Sequence, residues 1–401
     1  MKVYILTGEP FPNGMAATNR IKCYARAIKE GGMECEVVVS RRTEVYGKKP
    51  ENTVGNGQYS GISYRYIGGT PLRGCNALIR QIDDRLDFWR TKRYLKQNLK
   101  KGDVLLLYMG MAVEQALVFM RVAHQQGAYS VRDLCEIPYG TGKETPKSVH
   151  MRQFTYEKQF PLLDGIISIS DNLMNLAKTY TSSSCKHIKV PILVDYEYYK
   201  MADRSAETDI PFIFHAGTLY EQKDGILGML EAFGKAIQGT KRTIRFVSTG
   251  SINRANVNEK EQIERIIAKY HIEDKVVFTG YITNTELKDY LSRATMVIIN
   301  KYRTQQNLYC FSTKLGEYLA AAKPVVITNV GEAINWLKDG ESAYITEPED
   351  TDALADAIVH VFNNPEEGRT IGKKGQEVCC RCFDYRVWSK PLVDFLRGLG
   401  N

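Results

Sequence analysis

Residues 311–328 read Phe-Ser-Thr-Lys-Leu-Gly-Glu-Tyr-Leu-Ala-Ala-Ala-Lys-Pro-Val-Val-Ile-Thr. The stretch has the form of a short loop, a helix and a buried strand. Ser312 or Thr313 can cap the helix, because a hydroxyl can accept from an orphan amide of the first turn. Lys314 and Glu317 stand three apart and so share one helix face. Pro324 stops the helix, and Val325-Val326-Ile327 is the unbroken apolar run of a parallel strand covered on both faces. Two readings stand for the Lys/Glu pair. Amides and Lys314 could face a phosphate while Glu317 accepts from ribose hydroxyls. Alternatively, the two form a weak surface ion pair.

Working outward, the chain repeats this strand–helix alternation twice. Val3 to Leu6 is a strand, Ala16 to Glu30 a helix, and Cys35 to Val39 the next strand. Strands then follow at 104–108, 129–134, 165–170 and 187–190. Residues 41–61 are polar and glycine-bearing, and read as a long mobile loop. Val190-Pro191-Ile192-Leu193-Val194-Asp195 reads as a crossover between domains. A second set of strands follows at 212–216, 244–249, 276–279, 296–299, 325–328 and 343–345. The fold class is therefore α/β, with two doubly wound, Rossmann-like domains. They are expected at 1–193 and 194–382. Two such sheets facing one another leave a cleft at their C-terminal strand ends. The last stretch carries Trp388, Leu392, Val393, Phe395 and Leu396 at helical spacing.

At 401 residues the length suits two domains, and an apolar share of 43% suffices for real cores. The apolar run of Met1 to Leu6 is too short for a signal peptide, and no run of about 18 apolar residues exists. The nine cysteines are scattered and odd in number, which fits a reducing cytoplasm. Cys379, Cys380 and Cys382 lack the spacing and the partners of a metal site and read as structural thiols.

The net charge of +8 is uneven. Residues 1–195 hold 28 Lys+Arg against 18 Asp+Glu, whereas 196–401 hold 26 against 28. No aromatic-basic repeat or binding motif supports nucleic acid as partner of the basic half. An anionic membrane surface fits better. In 76–101, Ile79, Ile82, Leu86, Trp89, Tyr94 and Leu95 interleave with Arg80, Arg85, Arg90, Lys92, Arg93, Lys96, Lys100 and Lys101. Such a basic amphipathic helix can lie on anionic lipid, or it can pack its apolar stripe on its own sheet. The first reading places the protein in the cytoplasm, peripheral on the inner face of the membrane.

The 311–328 segment resembles the nucleotide-sugar motif of the retaining GT-B glycosyltransferases of family 4, Ser-Pro-x-Lys-Leu-x-Glu-Tyr-(Met/Leu)-Ala-x-Gly-Lys-Pro-Val-Val. Ser312, Lys314, Leu315, Glu317, Tyr318, Ala320 and Lys323 to Val326 match in order. Thr313 replaces the proline and Ala322 the glycine. The segment from His215 to Gly225 resembles the family's Gly-Arg-Leu…Lys-Gly donor loop, with Gly217 allowing close backbone approach and Lys223 neutralising charge. Thr218 stands where the family has arginine. Gly14, after the first strand, matches a glycine loop that touches donor phosphate or acceptor, and it also reads as a plain turn glycine. Gly280-Tyr281 matches a segment bordering the nucleobase.

The resemblance implies a hexosyltransferase-like enzyme. It would move a sugar from a nucleoside diphosphate sugar to a hydroxyl of a glycan or lipid-linked glycan, with retention and without metal or other cofactor, in cell-surface polysaccharide synthesis. It also implies that the last helix, about 383–401, crosses back onto the N-terminal domain. Two departures matter. The family's Glu-x7-Glu has Tyr309 in place of its first acid. A family His at the end of the strand 129–134 is absent, and Asp133-x-x-Glu136-x-Pro138 stands there. Asp133 or Glu136 is then the candidate for the acceptor's proton, unless both merely cap the next element. Such departures leave two alternatives, a degenerate nucleotide-binding subunit and a sugar-nucleotide epimerase.

Overall fold

The computed structural model describes every residue except 109, 141–143, 201–209, 241, 253–256 and 401. The chain forms two compact units. The first runs from Met1 to Val194 and takes in the chain from Tyr385 onward; the second is Asp195–Asp384.

The first unit carries strands β1 (Lys2–Thr7), β2 (Glu34–Val39), β3 (Asn56–Tyr59), β4 (Ile62–Tyr66), β5 (Val104–Leu107), β6 (Tyr129–Leu134), β7 (Gly165–Ser168) and β8 (Lys186–Lys189). Their order in the sheet is β3-β4-β2-β1-β5-β6-β7-β8. Every pairing is parallel except β3 with β4. The strand order reverses between β1 and β5, which is where open α/β sheets bind ligands at their C-terminal ends. The central β5 reads Val-Leu-Leu-Leu and is buried throughout, because helices cover both of its faces.

One expectation fails here. Part of the stretch 41–61 is not a loop, because β3 and β4 form a hairpin through Ser60 and Gly61. Both turn residues have positive φ, 49° and 71°. That is the backbone of the mirror-image two-residue turns that match strand twist. The alternation of Ile62, Tyr64 and Tyr66 carried the signal, and all three are buried. The preceding segment is also held: Asn52 is buried and donates to the Asn13 carbonyl at 2.9 Å and to Glu44 at 2.6 Å.

The terminal helix Ser389–Arg397 belongs to this unit. Its Leu392, Val393 and Leu396 join the core formed by Ile21, Tyr24 and Ile28 of the helix Ala16–Glu30. Tyr385 donates to Glu30 at 2.6 Å.

The second unit carries β9 (Phe212–His215), β10 (Arg245–Ser248), β11 (Val276–Phe278), β12 (Met296–Ile299), β13 (Val325–Thr328) and β14 (Tyr344–Thr346). The order is β11-β10-β9-β12-β13-β14, all parallel. The order reverses between β9 and β12. Phe212-Ile213-Phe214-His215, Met296-Val297-Ile298-Ile299 and Val325-Val326-Ile327-Thr328 are buried along their whole length. Local signals agree with the helices between them: Thr283 and Glu286 form a reciprocal capping box, and Asp350 caps Thr351–Asn363.

Candidate functional site

In the second unit, chemistry gathers where β9 and β12 end. His215 closes β9, Lys301 follows β12, and Lys314 opens the helix Lys314–Ala320. All three converge on Asp224, which ends the short helix Glu221–Asp224. Lys314 Nζ lies 2.8 Å and Lys301 Nζ 3.5 Å from Asp224 Oδ1. The other carboxylate oxygen accepts from the Thr218 amide at 3.1 Å and its hydroxyl at 2.8 Å. Lys301 also donates to the Lys223 carbonyl.

The electrostatics follow from this crowding. Burial pushes the Asp224 carboxyl up, but Lys314, Lys301 and His215 outweigh it and hold the group well below the usual carboxylate range. Burial lowers Lys314, and the charges of Lys301 and Lys223 lower it further against the pull of Asp224. Two lysines therefore flank one carboxylate, the charge of Lys223 also acts on Lys314, and the cluster carries surplus positive charge. Burial, then Lys314, pushes His215 down to about 3, so the ring is neutral at pH 7. Its Nε2 lies 3.2 Å from Lys314 Nζ and its Nδ1 3.1 Å from Ser248 Oγ.

Gly217 brings the backbone against Lys314 and His215. A Cβ there would lie 2.6 Å from Lys314 Nζ and 2.7 Å from the His215 ring. No side chain fits without displacing the cation.

Several expectations need correction. Neither Ser312 nor Thr313 caps the helix through its side chain. Thr313 holds the cap position in helical geometry, and the first-turn amides of Leu315 and Gly316 bond to the Ser312 and Thr313 carbonyls. Lys314 does not pair with Glu317; its ion pair is to Asp224, and its side chain is only 15% exposed. Glu317 accepts from Tyr199 at 3.4 Å. Thr218 carries no charge but orients Asp224. Tyr309 ends the helix Gln305–Tyr309, and Tyr281 is exposed past β11. Ala322, in place of the family glycine, adopts φ 55°, a left-handed conformation that costs a residue with a Cβ about 1 kcal/mol.

In the first unit, Gly14 fits its turn reading. A Cβ there would lie 2.2 Å from Thr18 Oγ1, which donates to the Pro10 carbonyl at 2.7 Å. Asp133 is fully buried and its oxygens are taken. Arg20 reaches both of them at 3.2 Å, Tyr24 donates at 2.6 Å, and the Cys135 thiol donates at 2.6 Å. Arg20 in turn donates to the carbonyls of Pro191 and Val190. Asp133 is thus an internal anchor, which corrects its reading as the acceptor's base. Glu136, two residues beyond β6, lines a cavity at the strand ends. Glu9, beyond β1, has a carboxyl raised by burial and by Glu136, with Arg41 opposing.

The helix Ala77–Asn98 also departs from expectation. Leu78, Ile82, Leu86 and Trp89 are exposed, Trp89 at 61%. The face turned inward carries Asp87, Thr91 and Leu95. Asp83 and Asp87 pair with Arg42. The apolar stripe of its first turns therefore does not pack on the sheet. Among the described residues no helix is long and apolar enough to cross a membrane.

Residues 210–364 match the family described as Glycosyl transferases group 1. CapM of Staphylococcus aureus, a capsular polysaccharide biosynthesis glycosyltransferase, is 23% identical over 232 residues, 53% of this chain and 56% of that protein. The chain spans about half the length, or less, of the curated relatives it matches. Among solved structures, sucrose-phosphate synthase from Thermosynechococcus elongatus superposes with a TM-score of 0.73 at 16% identity, covering 100% of this chain and 99% of that one. Anabaena HepE in complex with UDP-glucose superposes with a TM-score of 0.69 at 12% identity, covering 98% of each chain. Residues 210–364 are thus similar to the glycosyl transferases group 1 family, and the chain's fold is that of the GT-B glycosyltransferases.

Proposed function

We propose that the protein is a retaining glycosyltransferase that moves a sugar from a nucleoside diphosphate sugar to a hydroxyl of a glycan or lipid-linked glycan. One observation carries the reading. Two lysines, Lys314 and Lys301, share the Asp224 carboxylate at the switch point of the second sheet, and Gly217 keeps a Cβ out of the space against Lys314. The likeness to HepE, solved with UDP-glucose, supports a nucleotide-sugar donor, and the likeness to CapM supports polysaccharide synthesis.

In this reading Lys314, Lys301 and Lys223 stabilise the diphosphate as the glycosidic bond breaks and its electron pair passes to the leaving oxygen. Ser312, Thr313 and Thr218 border the phosphates. Glu317 accepts from the ribose, Tyr281 borders the base, and Tyr309 faces the sugar. Attack comes from the same face as departure, and the leaving phosphate takes the acceptor's proton. Glu136 then binds the acceptor hydroxyl rather than acting as an obligatory base. No metal or cofactor has a part in this scheme.

The test is a thermal-shift panel of UDP-, GDP-, ADP- and CMP-linked sugars, with Glu317→Ala alongside. One nucleotide is expected to raise the transition. Glu317→Ala should weaken its binding about 10- to 150-fold, the range for losing a hydrogen bond to a charged group. No shift with any nucleotide would sink the donor-site reading and favour a degenerate subunit.

The exposed stripe on the helix Ala77–Asn98 supports peripheral binding to anionic lipid at the cytoplasmic face. Arg85 and Arg93 are exposed beside Leu78, Ile82, Leu86 and Trp89, the composition of a helix lying in a headgroup layer. Each basic residue near such a surface contributes about 1 kcal/mol. Flotation with phosphatidylglycerol vesicles is expected to carry the protein up, less so at high salt. Trp89→Glu should reduce the bound fraction about tenfold or more. Equal flotation by the variant would remove this helix from any membrane role.

A further inference from the structure

A cavity of about 230 Å³ opens inside the first unit where β5 and β6 end. Tyr108, Arg132, Glu136, Tyr139 and Gln159 contribute to its wall. It is smaller than the usual ligand pocket of about 300–1,000 Å³, a size for one sugar-like group rather than a chain of them.

Arg132 is the unusual member of that wall. Its neighbours on β6 have settled roles: Val131 lies in the core, and Asp133 is held by Arg20 on the opposite side of the strand. The Arg132 guanidinium donates to Gln159 Oε1 and lies 5.8 Å from the centre of the Phe160 ring. Among the described residues no carboxylate stands within ion-pair distance of it. Burial lowers it to about 10, so it stays charged at neutral pH. A guanidinium has five donors in a fixed fork, and Gln159 is a neutral partner for only part of that fork. Arg132 is partly buried, and Asp133, the carboxylate whose charge acts on it, is already engaged by Arg20; an incoming anion would complete the compensation of this cation. The helix Val113–Gln125 begins at the same wall with Ala112 in the cap position and no side-chain cap, which adds to the positive potential without defining the site.

We propose that this cavity receives an anionic group of the sugar acceptor, a phosphate or a carboxylate, on Arg132, with Glu136 at the wall accepting from a hydroxyl of the same acceptor. The inference rests on the transferase reading and deepens it by naming the acceptor as anionic. The excess of Lys+Arg over Asp+Glu in residues 1–195 suits such a ligand.

Calorimetric titration with a hexose, its monophosphate, the matching hexuronate and a short-chain lipid monophosphate tests it. Donor nucleotide is titrated separately into every protein. The hexose monophosphate or the hexuronate is expected to bind at least about tenfold more tightly than the neutral hexose. The lipid phosphate tells a lipid-linked source from a soluble one. Arg132→Gln should lose the preference while still binding donor nucleotide. Gln159→Glu, which supplies an internal carboxylate to Arg132, should lose it too, so a folding defect in one variant does not decide the result. A wild type without preference for the anion overturns the inference. So does a preference that survives in both variants. Absence of donor binding in the wild type would instead strike at the transferase reading, leaving the anion preference to be read by itself.

Discussion

Asp224→Asn is expected to lower stability by about 3–5 kcal/mol and, in the protein that remains folded, to tighten binding of nucleoside diphosphate. The first effect follows from what the carboxylate holds. Lys314 and Lys301 are largely buried beside it, and removing one member of a buried ionic group leaves the others uncompensated. At roughly 2–4 °C per kcal/mol for a unit of this size, the transition should fall by about 6–20 °C. The second effect follows from Coulomb's law. A unit negative charge about 8 Å from an incoming anion opposes it by about 2 kcal/mol at an effective dielectric near 20, or about 30-fold in affinity. Diphosphate should therefore rescue the variant's transition by more than it raises that of the wild type. Acid adds a third readout. The folded carboxyl lies below its unfolded value, so its stabilisation is complete above the ordinary carboxylate range and is lost as pH falls through the folded value. The wild type should lose stability over that acid window, and the variant should not lose this share. A variant as stable as the wild type, with unchanged diphosphate affinity, would show that Asp224 neither braces the lysines nor sets the charge of the site.

The same cluster shows what a linear reading reaches. Lys314 and Glu317 were legible because they stand three apart in one contiguous helical motif, and Pro324 and Val325 fixed where that motif sat. Asp224 and Lys301 were not. They lie 90 and 13 positions before Lys314, and only the parallel order of β9, β12 and β13 brings them together. The sheet itself was readable because unbroken apolar runs such as Val104–Leu107 require cover on both faces. The hairpin at Ser60-Gly61 was missed because its turn carries Ser where Asn or Asp is the stronger signal. The helix from Ala77 misled in another way. Its apolar spacing is real, but Arg42 draws Asp83 and Asp87 inward and leaves the apolar residues outside. Periodicity reports a face, and the partners of the opposite face decide which way it turns.

Asp133 offers the sharpest separation between a chemical and a structural role. As a base, it could be replaced by Asn with little loss of stability while transfer fell about 10²- to 10⁴-fold. The geometry predicts the reverse. Arg20 is buried and reaches Asp133 with two nitrogens, and Tyr24 and Cys135 also spend their donors on it. Through Arg20 the group ties the helix Ala16–Glu30 and β6 to the Val190 and Pro191 carbonyls. Asp133→Ala should therefore cost about 3–5 kcal/mol, because it leaves a guanidinium charged and unpaired in the core. Urea unfolding of the first unit's transition measures this directly. Nucleotide binding, assigned by the proposed donor site to the second unit, should persist at low temperature. The decisive control removes both charges. Arg20→Met with Asp133→Leu should recover much of the loss, since replacing a buried ion pair by packed apolar groups is often neutral. If Asp133→Ala stayed within about 1 kcal/mol of the wild type while transfer collapsed, the carboxylate would have to reach the acceptor in a state other than this one, and the anchor would be secondary.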